Sequence, residues 1–173
     1  MYNSDKLYIA GVIKESIVDG PGYRYTVFAQ GCPHHCEGCH NPQTHPFSGG
    51  READLDAIAK EIGENVLLKG VTFSGGEPFC QAKPFTRLAR LVHNAGKDVI
   101  SYSGYTFEEL LAGANEENGW RELLENIDYL VDGKFILAEK TLLLKFRGSR
   151  NQRIIDVPAS LPRGEVILAP FND

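Results

Sequence analysis

Three of the four cysteines fall within eight residues, in the run Gly31-Cys32-Pro33-His34-His35-Cys36-Glu37-Gly38-Cys39-His40. The spacing is Cys-x3-Cys-x2-Cys. Thiolates are soft, strongly donating ligands suited to iron–sulfur clusters and to zinc. Gly31, Gly38 and Pro33 favour a tight loop over regular structure, so the sulfurs can fold around one centre. Three thiolates on a four-iron cube leave one iron without a protein ligand, and an open coordination position is what catalysis needs. Two other chemistries fit the same residues. Zinc completed by His34, His35 or His40 would make a Cys3His site. The run Cys36-Glu37-Gly38-Cys39-His40 also spells the Cys-x-x-Cys-His signature of covalent haem attachment. A disulfide scaffold does not fit, because such scaffolds spread their cysteines to close loops. Cys80, isolated in sequence, reads as a structural thiol.

Ser74-Gly75-Gly76-Glu77-Pro78 is the second segment with chemical capacity. It is a turn by composition, and its glycines also let backbone amides and carbonyls approach a ligand closely. Asp19-Gly20-Pro21-Gly22 reads as a tight turn. Phe146 to Arg153 packs three arginines into eight residues. That run is either a solvated basic loop or a docking site for an anion or partner.

The elements that must hold these segments follow from periodicity. Apolar residues recur at helical spacing at Leu55, Ile58, Ala59 and Ile62, at Phe85, Leu88, Ala89 and Val92, and at Trp120, Leu123, Leu124 and Ile127. Thr106 and Glu109 form a capping box that opens a short helix over 106–113. β-Branched and aromatic runs predict strands near 6–13, 23–29, 70–73, 98–102, 128–131 and 153–157. Strands alternating with helices imply an α/β domain with parallel pairing and right-handed crossovers, in the form of an open or partial barrel. The cysteine loop, the Gly75-Gly76 turn, Ser101 to Tyr105, and Asp132-Gly133-Lys134 then all follow carboxyl ends of strands. In a parallel sheet that edge is where sites are built.

Composition narrows the function classes. The chain has 173 residues, with 18 Lys plus Arg against 23 Asp plus Glu, a net charge of −5. One domain, 1–173, is the simplest organisation, and the length is short of the roughly 200 residues a full eight-stranded barrel needs. The acidic balance argues against nonspecific nucleic-acid binding. No apolar run exceeds four residues, which excludes a membrane-spanning helix. Met1–Lys6 carries no basic stretch leading into an apolar core, so an export signal is not expected and a cytoplasmic location is.

Cys32-x3-Cys36-x2-Cys39 together with Ser74-Gly75-Gly76-Glu77-Pro78 resembles the radical S-adenosylmethionine enzymes. The stretch from Val18 through Arg24 and Phe28 to Pro42 is similar to the glycyl-radical-enzyme activases. Within that family, Ser101 to Thr106, Val131 to Phe135 and Phe146 to Gln152 resemble the branch acting on anaerobic ribonucleoside-triphosphate reductase. The resemblance covers about 15 to 155. It implies an open radical S-adenosylmethionine barrel, with Cys32, Cys36 and Cys39 holding three irons of a 4Fe–4S cluster. The unligated iron would chelate S-adenosylmethionine. Gly75, Gly76 and Glu77 would secure its methionine moiety, mainly through backbone groups, while Gly38, Cys39 and His40 lie by the nucleoside. Many family members place an aromatic residue just before the third cysteine, where this chain has Gly38; His40 is the alternative adenine contact. The implied reaction is reductive cleavage to a 5′-deoxyadenosyl radical, which takes hydrogen from a glycine of the reductase. A flavodoxin or ferredoxin would be the low-potential donor. Activation of another glycyl-radical enzyme, of pyruvate formate-lyase type, and radical chemistry on a metabolite are the neighbouring readings.

Overall fold

The computed structural model describes residues 5–173; Met1–Ser4, and the part of the export-signal and single-domain expectations that falls on them, lie outside the described residues. A seven-stranded sheet organises the chain, in the order β3-β1-β2-β4-β5-β6-β7. Its strands are β1 (Tyr8–Ser16), β2 (Tyr23–Ala29), β3 (Arg51–Glu52), β4 (Leu68–Ser74), β5 (Asp98–Tyr102), β6 (Tyr129–Asp132) and β7 (Arg153–Asp156). The helices are α1 (Leu55–Glu64), α2 (Ala82–Asn94), α3 (Phe107–Gly113), α4 (Trp120–Glu125) and the single turn α5 (Val157–Ser160).

The parallel pairing expected throughout holds only in the centre. β2, β4, β5 and β6 pair in parallel, whereas β1 runs antiparallel to both β2 and β3, and β7 antiparallel to β6. The connections explain the difference. A parallel neighbour needs a long crossover, and α1, α2, and α3 with α4 supply one between successive central strands. Only a short turn separates β1 from β2. Between β6 and β7 the chain makes no α-helix, so it returns alongside β6 in the opposite direction.

Alternation along the strands divides the core in two. Val71 and Phe73 of β4, Val99 of β5, Leu130 of β6 and Ile155 of β7 face the helices. Against them α2 presents Phe85, Leu88, Ala89 and Val92, all fully buried, with the Phe73 and Phe85 rings 4.4 Å apart. Burying each large side chain of such a stripe contributes about 1.5–3 kcal/mol. The intervening residues Ile100, Val131 and Ile154 point to the opposite face, where Ala169 and Phe171 of the carboxyl-terminal segment cover them. On that face near β2 and β4 the lining turns polar. Arg24, with no solvent exposure, donates to Thr72 Oγ1 at 2.7 Å, Val71 O at 2.8 Å, Pro21 O at 3.2 Å and Asp98 Oδ1 at 2.5 Å. One guanidinium thus joins β2, β4, β5 and the turn before β2.

Among the described residues no helix is long and apolar enough to cross a membrane.

Candidate functional site

At the carboxyl ends of the parallel strands lies a cavity of about 360 Å³. Four of the segments that line it follow parallel strands: Cys32, Cys36 and Cys39 from the loop after β2; Gly75 and Gly76 after β4; Tyr102 to Gly104 at the end of β5; and Gly133 to Phe135 after β6. The antiparallel β1 and β7 do not disturb this convergence, because the strands that carry these segments are the parallel ones.

The cysteine loop is held from both sides. Gly31 N donates to Thr44 O at 2.7 Å, and Cys32 N to His45 O at 3.0 Å. Inside the loop, Cys39 N donates to Cys36 O at 3.2 Å and Asn41 N to Cys39 Sγ at 3.4 Å. Cys32 is 7% exposed. Burial first of all, and then nearby Glu77, push its thiol up to about 11, against the pull of the His34 and His35 amides. A bare thiolate is therefore disfavoured at this position, and a bound metal centre supplies the positive charge that a thiolate there requires.

Gly75 and Gly76 are clamped against the same loop. Gly76 N donates to Thr44 Oγ1 at 2.7 Å, and Glu77 N to Gly31 O at 2.8 Å. Gly76 has φ +67°, and a Cβ there would stand 2.3 Å from Ala29 O and 2.8 Å from Gly31 O. Only glycine lets the two strand ends approach this closely.

Glu77 does not form part of the cavity wall. Its carboxylate is fully buried and accepts from Ser103 Oγ at 3.0 Å, Gly104 N at 2.8 Å and Phe79 N at 2.9 Å, with His34 Nε2 at 2.7 Å. It bolts the cysteine loop to the end of β5. Gly38 sits on the outer side of the loop, exposed, with φ +77°. A Cβ on it would meet Leu137 Cδ1 at 2.9 Å and Phe135 Cε1 at 3.2 Å. Phe135 lines the cavity, and its ring lies 5.3 Å from that of His40, which lines it too.

The donor set fits an iron–sulfur cube. Three unpaired thiols border one space. Among the described residues no group of His, Cys, Asp or Glu side chains gathers tightly enough to hold a single metal ion. A cube takes its ligands at separate corner irons and so accepts a wider spread. His34, a candidate fourth zinc ligand, is committed to Glu77. His45 also faces the cavity, and its buried Nε2 has no hydrogen-bond partner among the described residues. Burial and neighbouring His35 hold that ring below the ordinary imidazole range. A neutral ring has one N–H and one bare nitrogen, so a group within the cavity would satisfy Nε2 as acceptor or as donor according to the tautomer.

Comparison with known proteins agrees. The 4Fe-4S single cluster domain matches residues 18–155. An anaerobic ribonucleoside-triphosphate reductase-activating protein of Vibrio cholerae is 36% identical over 147 residues, spanning 80% of this chain and 90% of its own. The chain belongs to the anaerobic ribonucleoside-triphosphate reductase-activating protein family. Relatives of the same name include one from Escherichia coli, 34% identical over 79% of this chain and 90% of its own. Another, from Enterobacteria phage T4, is 31% identical over 88% and 92%. QueE from Escherichia coli aligns in structure over 58% of this chain and 54% of its own, with TM-score 0.46 and 18% identity, too partial a likeness to bear on the chemistry. Membership in a 4Fe-4S family sets aside the zinc and haem readings of the cysteine loop.

Tyr102, Phe135 and Gln152 line the cavity from the three segments that carry the family resemblance, Ser101 to Thr106, Val131 to Phe135 and Phe146 to Gln152, although none had an individual role in the sequence reading. His45 also lines the cavity and escaped the sequence reading, since it lies in none of those segments. The three arginines of 146–153 separate. Arg147 is buried beside the cavity, donating to Asn172 Oδ1 at 3.0 Å and Asp173 O at 2.8 Å. Arg153 pairs with Asp132 at 2.5 Å and Glu108 at 2.6 Å, and Arg150 is exposed. Cys80 lies outside the cavity; burial, then Glu77 and Cys32, push its thiol up to about 12.

Proposed function

We propose that this chain is a radical S-adenosylmethionine activating enzyme that generates a glycyl radical on anaerobic ribonucleoside-triphosphate reductase. The observation that carries the reading is the meeting of three thiols, two glycines and an unpartnered imidazole nitrogen on one cavity, in a chain matched to the family across 18–155. When bound, the 4Fe–4S cluster and S-adenosylmethionine supply an electron and a 5′-deoxyadenosyl radical, which removes hydrogen from a glycine of the reductase.

The protein's own part is to hold and to orient. Cys32, Cys36 and Cys39 are the metal ligands. The Asn41 amide, aimed at Cys39 Sγ, stabilises charge on that sulfur. The amides of Gly76 and Glu77 are taken by Thr44 and Gly31, which leaves the carbonyls of Gly75 and Gly76 to accept from an ammonium group. Glu77 acts by fixing these parts rather than by touching the cofactor. Gly38 leaves its side-chain space to Leu137 and Phe135, and the Phe135 and His40 rings, tilted by 47° to each other, offer an aromatic wall for an adenine.

In this reading the parallel strands β2, β4, β5 and β6 form the wall of an open β/α barrel, residues 1–173 act as one domain, and the open side admits the partner. A flavodoxin or ferredoxin supplies the electron, and the enzyme works in the cytoplasm.

The test is Cys36→Ala. After anaerobic reconstitution, release of methionine and 5′-deoxyadenosine is expected to vanish while the far-ultraviolet circular dichroism stays close to wild type. Full cleavage by that variant contradicts the assignment.

A further inference from the structure

Leu142 and Leu143 are 91% and 93% exposed, and Ile17 and Val18 are 68% and 70% exposed. These pairs stand on two loops far apart in sequence, yet Ile17, Val18, Leu142, Leu144 and Phe146 line one open groove of about 540 Å³. Contiguous apolar surface of this kind marks an interaction site more often than scattered exposed leucines do. The groove also runs into the cofactor cavity: Val18, His40, Phe146, Arg147 and Gly148 border both. Another exposed apolar pair, Val66 and Leu67, precedes β4 at the opposite edge of the sheet and has no such continuity.

The charge on the rim is one-sided. Lys140 and Lys145 line the groove, Lys134 stands at the cavity mouth, and no Asp or Glu lines the groove. Among the described residues none of these three lysines is in an ion pair. In a chain of net charge −5 this is a local reversal of sign. The arginines of 147–153 cannot take this role as a set, since Arg147 and Arg153 are committed to other protein groups.

We propose that this groove receives the glycine-bearing segment of the reductase, as an extended peptide with apolar side chains beside the glycine and a carboxylate placed to meet Lys140 or Lys145. The inference rests on the functional reading above and adds where the partner docks. Hydrogen abstraction needs the glycine α-carbon in contact with the reacting carbon, so the peptide must cross the cavity rim. The shared border of groove and cavity offers that crossing. Ile17, Val18 and Leu142 bury the apolar flanks, and glycine, lacking a side chain, passes over the Phe146 and His40 edge.

Leu142→Glu and Lys145→Glu test this on the full-length, anaerobically reconstituted protein. Both side chains are exposed and lie outside the cofactor cavity. Cleavage of S-adenosylmethionine in the absence of reductase is therefore expected to match wild type. Affinity for the reductase, measured under anaerobic conditions, should fall about tenfold or more for Leu142→Glu, as for a central apolar anchor. Lys145→Glu should weaken binding and flatten its dependence on salt, with Lys145→Arg restoring both. Reductase binding and half-saturation of the glycyl radical signal unchanged in both Glu variants overturn the docking proposal alone. A wild-type protein that cleaves S-adenosylmethionine but never marks the reductase overturns the functional reading and the docking with it. If Leu142→Glu instead abolishes self-association and leaves reductase affinity intact, the groove belongs to a second copy of this chain and the proposal fails.

Discussion

A carboxylate with no solvent exposure must be matched by donors or it destabilises the fold. Glu77 has such donors in Ser103, Gly104, Phe79 and His34, drawn from three segments around the cavity. Glu77→Ala leaves those groups facing a void, and we expect a loss of about 3 kcal/mol in the urea-induced unfolding of the metal-free protein. A residue that merely touched S-adenosylmethionine would instead raise KM without lowering stability. The second prediction at this scale concerns the thiols of the metal-free chain. Burial raises Cys32 to about 11 and Cys80 to about 12, from an ordinary 9.0. A raised folded-state value means that their contribution to stability is complete below about pH 9 and is lost as the pH climbs toward 11 and 12. At pH 8 iodoacetamide should therefore modify Cys36 and Cys39 before Cys32 and Cys80, whose thiols burial holds protonated, as read by peptide mass mapping; equal rates at all four contradict the burial argument. The gathering of Cys32, Cys36 and Cys39 on one cavity was legible in the sequence because their spacing is local. The engagement of Glu77 was not, since His34 lies 43 positions away and Ser103 lies 26.

Among the elements, the constraint that bears most on the site is the approach of the β4 end to the β2 end at Gly76. Gly76→Ala would drive a methyl group into Ala29 O and impose a positive φ on a residue with a side chain. The cysteine loop hangs from Ala29, so the expected result is a shifted loop: iron and sulfide content after reconstitution falling well below wild type, with the helical signal retained. Normal cluster loading of Gly76→Ala would show that the clamp is not needed. The helices α1 to α4 and the central strands were readable, and β2 and β5 fall on the positions that the β-branched and aromatic runs indicate, whereas the turn α5 was not foreseen. Apolar alternation reports which side chains face a core, but it is blind to strand direction. The antiparallel pairing of β1 and β7 was therefore invisible until the connections were known. β3, only two residues long, offers no pattern at all. Arg24 is a similar case: its burial depends on Asp98, 74 positions away.

For the molecule as a whole, the groove opens into the cavity bordered by Cys32, Cys36 and Cys39. The meeting of four segments at one edge was foreseeable from the strand order expected for an α/β domain, because the central strands do run parallel. The groove was not foreseeable, since Ile17 and Leu142 are neighbours only in the folded chain. The cavity's proposed task is to deliver a radical to a partner's glycine. Electron paramagnetic resonance of the reconstituted, reduced protein mixed with S-adenosylmethionine and anaerobic ribonucleoside-triphosphate reductase tests it most directly. A glycyl radical doublet that requires S-adenosylmethionine and disappears with Cys36→Ala is expected. No doublet from a fully loaded protein that binds the reductase, or an undiminished one from Cys36→Ala, would contradict it.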